Sequence, residues 1–78
     1  MGTQASATLD CRGMLCPEPM IEMFKKMKTM GAGELLEVVA DDALARKNIP
    51  EWCKKTGNVL VNTLDSDKLI KFYIKKRG

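Results

Sequence analysis

Two prolines, Pro17 and Pro19, stand directly before a stretch whose apolar side chains recur at helical spacing. Proline is tolerated in the first turn of a helix, because the N–H groups there have no partner within the helix, but it disrupts later turns. The pair therefore fixes where a helix begins. The sequence predicts a helix over about residues 17–30, with Cys16 as its cap or as the residue just outside it.

Cys16 gains chemical meaning from this position. The free N–H groups and the dipole at a helix N-terminus favour a thiolate over a thiol, and the thiolate is the nucleophile. The two prolines lack N–H donors and weaken the effect somewhat. Cys16 is therefore the candidate reactive residue. The alternative is a proline-capped helix that a cysteine happens to precede.

Composition narrows the classes of protein that remain. The chain has 78 residues, a net charge of +3, three cysteines and no histidine. Its length is that of one small domain, and its charge is well short of that of a nucleic-acid-binding arm. Without histidine there is no Cys–His pair for a cysteine hydrolase, and the commonest metal ligand is missing. Three cysteines cannot all pair in one chain, and the sequence contains no signal segment and no run long enough to span a bilayer. We therefore expect a cytoplasmic protein with free thiols. We also expect no metal and no cofactor.

The rest of the chain predicts four strands and a second helix. The expected strands cover residues 7–11, 34–40, 58–64 and 68–75, and the second helix covers residues 49–56. The first two strands and the helix between them form a βαβ unit, so these strands should be parallel. The last two strands flank the turn Asp65-Ser66-Asp67 and should form a hairpin.

The predicted fold is therefore α+β. It is a two-layer sandwich with the order βαβαββ, in which a four-stranded mixed sheet carries two helices on one face. Residues 1–6 are small and polar and are expected to be a disordered leader, and residues 7–78 a single domain.

Side-chain patterns indicate which faces are buried. The last strand alternates, so its isoleucine and phenylalanine side chains should face the helices, while Lys71, Tyr73 and Lys75 face water. On the first helix one stripe is apolar and is expected to face the core: Met20, Ile21, Met23, Phe24, Met27 and Met30.

Turn and cap residues complete the prediction. Gly31 is the expected left-handed cap that ends the first helix. Asp41 and Asp42 are expected to open the next helical region, by capping and by their charge. Pro50 starts a helix more readily than it continues one. We therefore expect a turn or short helix before Asn48, and then the second helix from about residue 49, with Asn48 as its cap.

The other two cysteines differ in their expected roles. Cys53 lies on the apolar face of the second helix and is expected to be a small core residue. Cys11 ends the first strand, and two interpretations remain open: a resolving thiol for Cys16, or only a strand-end residue. The spacing of the two is not that of a Cys-x-x-Cys motif. Arg12, the cation nearest to Cys16 in sequence, could favour its thiolate or bind the Asp10 carboxylate.

Residues spread along most of the chain carry a resemblance to a known family. They are Leu9-Asp10, Gly13, Cys16-Pro17-Glu18-Pro19, Asp41-Asp42, Ile49-Pro50 and Cys53. In this pattern the chain resembles the TusA/SirA-like sulfur carrier family. The resemblance implies the same βαβαββ fold. Two residues depart from the members that serve tRNA thiolation: Leu15 stands where they have arginine, and Cys11 where they have a small residue.

The resemblance also implies a function. Cys16 would accept a sulfane sulfur, hold it as a persulfide and pass it on, as a sulfurtransferase-type carrier rather than a stand-alone catalyst. The expected partners are a sulfur-donor protein, either a cysteine desulfurase or a rhodanese, and a sulfur-acceptor protein. We expect a monomer that binds neither nucleic acid nor a membrane. The pathway could be tRNA 2-thiolation, sulfur oxidation, or molybdenum-cofactor or selenium metabolism.

Residues near Cys16 complete the predicted site. Those expected to shape it are Asp10, Arg12, Gly13, Pro17, Glu18 and Pro19. Partner docking is expected at an apolar rim and at nearby positive charges, which are Met14, Leu15, Lys25 and Lys26.

Two other functions remain open on the sequence alone. One is an RNA-binding module that uses Lys71, Tyr73 and Lys75 on the open face of the sheet, with binding that weakens as salt rises. The other is a thiol redox protein in which Cys11 and Cys16 form a reversible disulfide.

Overall fold

The architecture is a mixed four-stranded sheet with two helices packed on one of its faces. A computed structural model of the chain describes residues 5–14, 18–66 and 68–77, with the side chain of Pro19 excepted. The elements follow the predicted βαβαββ order. They are β1 (Ala7–Asp10), α1 (Glu18–Lys28), β2 (Leu35–Ala40), α2 (Ala45–Thr56), β3 (Val59–Asp65) and β4 (Ile70–Lys75).

The strands lie in the order β1-β2-β4-β3. β1 runs parallel to β2, with Leu9 opposite Val38, which confirms the predicted βαβ unit. β4 runs antiparallel to both of its neighbours, which confirms the hairpin with β3 and makes β2 an interior strand. Residues 1–4 of the predicted leader and Asp67 of the hairpin turn lie outside the described residues. The chain joins the sheet at Ser6, whose N–H donates to the Leu35 carbonyl at 2.7 Å.

The hydrophobic core lies between the sheet and the helices. Each apolar side chain that is fully buried there contributes on the order of 1.5–3 kcal/mol relative to its exposed state. The largest fully buried side chains are Phe72, Met23, Leu36, Ile49, Ile74, Val38, Cys11 and Cys53. Burial of Ile70, Phe72 and Ile74 confirms the predicted inner face of β4. Burial of Met23 and Met27 in α1, and of Met30 two residues after it, confirms the core role predicted for these methionines.

The buried stripe of α1 is narrower than predicted. Ile21 is 49% exposed and Phe24 is 50% exposed, so neither belongs to the core. Met23, Met27 and Met30 already cover the sheet at spacings of four and three residues, and Phe24 lies about 100° further around the helix. Its ring is covered from outside instead, because the Lys28 ammonium lies 4.5 Å from the ring centroid.

The predicted start of the second helix is wrong. α2 begins at Ala45 and continues through Pro50, so Asn48 lies inside the helix and is not its cap. Proline removes one backbone hydrogen bond from a helix interior. The burial of Ala45, Ile49 and Cys53, four residues apart on one face, offsets that loss.

The two helices end in different ways. Gly57 has a φ of 82° and is the left-handed cap of α2. Gly31 is not a left-handed cap, because the positive φ in the turn after α1 belongs to Gly33, at 83°. The N–H of Gly31 instead donates to the carboxylate of Glu34, three residues later, and this side chain closes the turn.

The predicted exposure of Tyr73 on the open face of the sheet is wrong. Tyr73 lies on that face but is only 8% exposed, and its hydroxyl donates to the Glu37 carboxylate at 2.6 Å. Thr8 donates to the other Glu37 oxygen at 3.5 Å, so the contacts cross three strands. The hydrogen bond to Glu37 raises the pKa of Tyr73. In the described part of the chain, no helix is long and apolar enough to cross a bilayer.

Candidate functional site

Two loops meet at the edge of the sheet where β1 and β2 end. Because these strands are parallel, their carboxyl ends lie side by side, with Asp10 opposite Val39. Loop 11–14 follows β1 and leads toward Cys16. Its backbone starts on the sheet, since the Cys11 N–H donates to the Val39 carbonyl at 2.7 Å, and it turns back where the Met14 N–H donates to the Cys11 carbonyl at 3.2 Å.

Arg12 binds Asp10 through three hydrogen bonds. The guanidinium donates to the two carboxylate oxygens at 3.0 and 2.8 Å, and the Arg12 backbone N–H donates to one of them at 3.0 Å. These bonds lower the pKa of Asp10 to about 2. Arg12 was predicted either to favour the Cys16 thiolate or to bind the Asp10 carboxylate, and the structure contains the second of these contacts.

Asp41 and Asp42, both predicted to open the second helical region, bind different partners. Asp42 accepts the Leu44 N–H at 3.1 Å, at the start of the α2 region. Asp41 does not cap this region: its two carboxylate oxygens accept the Gly13 N–H at 3.0 and 3.1 Å. The predicted cap is wrong for Asp41 because the parallel strands bring its carboxylate next to loop 11–14.

The two described cysteines are both buried. Cys53 is 2% exposed on the inner face of α2, as predicted, and burial raises the pKa of its thiol to about 11. Cys11 is 0% exposed, and its side chain belongs to the core although its backbone begins the loop. Burial raises the pKa of the Cys11 thiol to about 11, with the Asp10 and Glu22 carboxylates adding to the effect.

Several predicted site residues lie outside the described part of the chain. These are Leu15, Cys16, Pro17 and the side chain of Pro19. The described residues on either side are Met14, in loop 11–14, and the exposed Glu18, with which α1 begins. The predicted first residue of this helix, Pro17, lies outside the described residues.

The predicted docking residues have different environments. Met14 is half-buried and packs against the core, so it does not stand out as an exposed rim. The Lys25 side chain is 69% exposed and pairs with Glu22 at 3.6 Å on the same helix. Lys26 is half-buried.

Sequence reasoning missed the contact between Asp41 and Gly13. The signal that could have found it is the βαβ unit itself, because this topology places the residue after β2 beside the loop after β1. The carboxylate of an aspartate at that point can accept N–H groups either from the start of the next helix or from the neighbouring loop. The local sequence pattern alone predicts the helix.

Comparison with known proteins decides which family this fold and loop represent. The family model described as sulfurtransferase TusA matches residues 7–76. The chain belongs to the TusA family. This membership confirms the resemblance that the sequence pattern indicated.

Relatives and a solved structure agree with the TusA family. A candidate sulfur carrier protein of Archaeoglobus fulgidus is 40% identical over 68 residues, which cover 87% of this chain and 93% of that protein. The sulfur carrier protein TusA of Pseudomonas entomophila is 34% identical over 72 residues, covering 92% and 90%. The crystal structure of a SirA-like protein from Desulfitobacterium hafniense matches with a TM-score of 0.80 at 27% identity and covers 92% of this chain and 99% of that one. The shared fold confirms the predicted architecture.

Proposed function

We propose that this member of the TusA family is a sulfur carrier, which accepts a sulfane sulfur on Cys16 as a persulfide and relays it to an acceptor protein. Relatives that cover nearly the whole chain are named as sulfur carriers, which supports the role. The observation that carries the choice of residue is the burial of Cys11 and Cys53, whose thiols both have a pKa of about 11. A carrier sulfur must be reached by two larger proteins in turn, and a buried thiol cannot be.

Sulfur transfer to Cys16 balances as an exchange reaction. The Cys16 thiolate attacks the outer sulfur of a donor persulfide, and a new sulfur–sulfur bond forms on Cys16. The sulfur–sulfur bond of the donor breaks, and its electron pair leaves with the donor's inner sulfur as a thiolate. The proton of the donor persulfide stays on the transferred sulfur or passes to solvent. Nothing is oxidised or reduced overall, and the carrier needs no general base.

The start of α1 supports this chemistry. α1 begins at Glu18, two residues after Cys16, and an anion near a helix N-terminus is stabilised by its unpaired N–H groups and its dipole. A persulfide is more acidic than a thiol, so the same environment favours the persulfide anion. Relay to the acceptor repeats the exchange, with Cys16 as the leaving thiolate.

The proposed partners follow from the direction of transfer. The donor is a cysteine desulfurase or a rhodanese, and the acceptor is a second protein that receives the sulfur. Lys25 is exposed in the last turn of α1, and we propose that it supplies positive charge for docking. We propose that the carrier works as a monomer in the cytoplasm, without a cofactor, a membrane or direct contact with nucleic acid.

The two other functions considered are less well supported. An RNA-binding sheet would stack bases on an exposed aromatic ring, but Tyr73 is only 8% exposed and its hydroxyl is bonded to Glu37. A redox pair would need Cys11 as an accessible resolving thiol, but Cys11 is 0% exposed with a raised pKa.

Loading by a donor tests the proposal. A cysteine desulfurase with cysteine should add one sulfur atom to the wild-type protein, seen by intact mass spectrometry and removed by a reductant. Cys16→Ser should abolish the addition, because the nucleophile is gone. The matched control Cys53→Ala should still be loaded, since that thiol is buried. Loading of Cys16→Ser to the wild-type level would show that another residue carries the sulfur.

A further inference from the structure

Asp41 connects the two loops at the edge of the sheet where β1 and β2 end. Its carboxylate oxygens accept the Gly13 N–H at 3.0 and 3.1 Å, although the two residues are 28 positions apart in sequence. The contact arises from the parallel pairing of β1 with β2, which sends the chain out of the sheet at neighbouring points after Asp10 and after Ala40.

Gly13 is shaped for this contact. Its φ is 78°, in the left-handed region that favours glycine, and an added Cβ would meet nothing within 4 Å. Glycine is therefore required here for the backbone conformation and not for space. That conformation directs the Gly13 N–H toward the carboxylate of Asp41.

The other described bonds of loop 11–14 do not reach across to the chain after β2. Cys11 bonds to β2 itself, Met14 bonds back to Cys11, and Arg12 bonds to Asp10 two residues earlier. The Asp41 bond fastens the middle of the loop, and hydrogen bonds to an ionised acceptor are roughly twice as strong as neutral ones. Cys16 follows this loop directly in sequence.

We infer that Asp41 is a positioning residue for sulfur transfer: it holds loop 11–14 through the Gly13 N–H and thereby sets how Cys16 is presented at the start of α1. The inference rests on the proposed role of Cys16. Asp41 acts through the loop and is not a group that exchanges the sulfur. Presentation matters because a misplacement of the reacting atom by about 1 Å can cost on the order of a hundredfold in rate.

The charge and the hydrogen bond of Asp41 predict opposite effects on Cys16. If the charge dominates, removing the negative charge beside loop 11–14 would favour the thiolate, and Cys16 would react with an alkylating reagent at lower pH. If the hydrogen bond dominates, its loss would free loop 11–14, which leads to Cys16 in sequence, and Cys16 would react only at higher pH. The sign of the change therefore identifies which effect dominates.

Two substitutions at Asp41 separate these effects. Asp41→Asn removes the charge but keeps one carbonyl oxygen that can accept the Gly13 N–H. Asp41→Ala removes both. The matched control is Asp42→Ala, which deletes the neighbouring carboxylate and its bond to the Leu44 N–H but leaves the loop contact intact.

The experiment measures two properties of each full-length variant. The first is kcat/KM for sulfur loading by a cysteine desulfurase. The second is the pH midpoint of Cys16 alkylation by iodoacetamide, with the modified residue located by peptide mass spectrometry. Asp41→Ala should lower kcat/KM by about tenfold and move the midpoint to higher pH. Asp41→Asn and Asp42→Ala should stay within about twofold of the wild type, a difference well below the ~1.4 kcal/mol of a tenfold change.

Three results would overturn the assignment of Asp41. They are an Asp41→Ala variant within twofold of the wild type, an Asp41→Asn variant as impaired as Asp41→Ala, and an Asp42→Ala variant with the same loss. If Asp41→Ala fails to fold, Gly13→Ala replaces it, because it keeps the N–H but strains the loop, and it should change both readouts in the same direction. A wild-type protein that no donor loads would refute the carrier proposal alone, since alkylation still reports the position of Cys16.

Discussion

The core between the sheet and the helices differs in physics from the edge where β1 and β2 end. Among the described residues, no charged side chain is buried, and the core consists of apolar side chains. At the edge, Asp10, Arg12 and Gly13 are exposed. Arg12 donates to the Asp10 carboxylate, and the Gly13 N–H donates to the carboxylate of Asp41. Burial of apolar side chains stabilises the folded state but does not fix the orientation of a group. Hydrogen bonds do fix the orientation of donor and acceptor, with a small net contribution to stability.

This difference separates what holds the protein together from what orients its candidate site. Cys11 stands where the two regions meet, because its backbone begins loop 11–14 while its side chain lies in the core. A residue so placed can transmit the position of the sheet to the loop. Substitutions in the core should therefore change stability first, and substitutions at the edge should change the behaviour of the loop first.

The largest effect is expected from the core. Phe72→Ala should lower the free energy of unfolding by about 3–5 kcal/mol, because the substitution removes a fully buried ring and leaves a cavity. That is a large share of the roughly 4–12 kcal/mol expected for a chain of this size. Urea denaturation followed by circular dichroism measures the loss. The matched control is Phe24→Ala on the surface of α1, which is 50% exposed and should cost less than about 1 kcal/mol. Equal losses in the two variants would contradict the division between core and surface.

An intermediate effect is expected from the two buried thiols. Their pKa is about 11 in the folded protein, against a reference value of 9.0. The unfolded chain therefore releases these protons at lower pH than the folded one, so stability is intact below about pH 9 and falls as the pH rises toward 11. The free energy of unfolding, measured at a series of pH values, should show this decline.

A matched variant isolates the contribution of one thiol. Cys11→Ala should decline less steeply over this range than the wild type, since one of the two titrating groups is gone. In native buffer near neutral pH, iodoacetamide should leave Cys11 and Cys53 unmodified until the protein is denatured. Rapid native labelling of either residue would show that its thiol is accessible and would revive the redox alternative.

The smallest effect is expected at the edge. The Arg12 bonds lower the pKa of Asp10 to about 2 from a reference value of 3.8. Its stabilising contribution should therefore be present above about pH 4 and lost as the pH falls toward 2. Because the pair is exposed, the change in stability should be slight, and the carboxyl titration followed by NMR is the better measurement. In Arg12→Ala the Asp10 titration should move up toward the reference value; an unchanged midpoint would show that Arg12 is not the cause.

Local patterns were enough to predict most of the fold. The proline pair located the start of α1 to within one residue, and the alternation in β4 predicted the burial of Ile70, Phe72 and Ile74. Other bounds differ from the predicted ones by no more than two residues at an end, except at α2. Such signals are reliable because backbone geometry and periodicity act over only a few neighbouring residues.

The errors share a physical cause. The rule that proline starts a helix failed at Pro50. Burial of Ala45 in the core extends α2 by about one turn on the N-terminal side of this proline. Tyr73 was placed in water by alternation, but Glu37 on the next strand accepts its hydroxyl. In both cases a contact from another element outweighed the local preference.

The sequence by itself determined the order of the elements, the burial of Cys53 and the choice of Cys16 as the candidate reactive residue. Each of these depends on residue types and spacings within a single segment. Only the tertiary structure decided that Cys11 lies in the core and that Asp41 binds the Gly13 N–H while Asp42 serves the start of α2. Two adjacent aspartates have the same chemistry, so their partners are set by the parallel pairing of β1 and β2, which brings the loop after one strand beside the residue that follows the other.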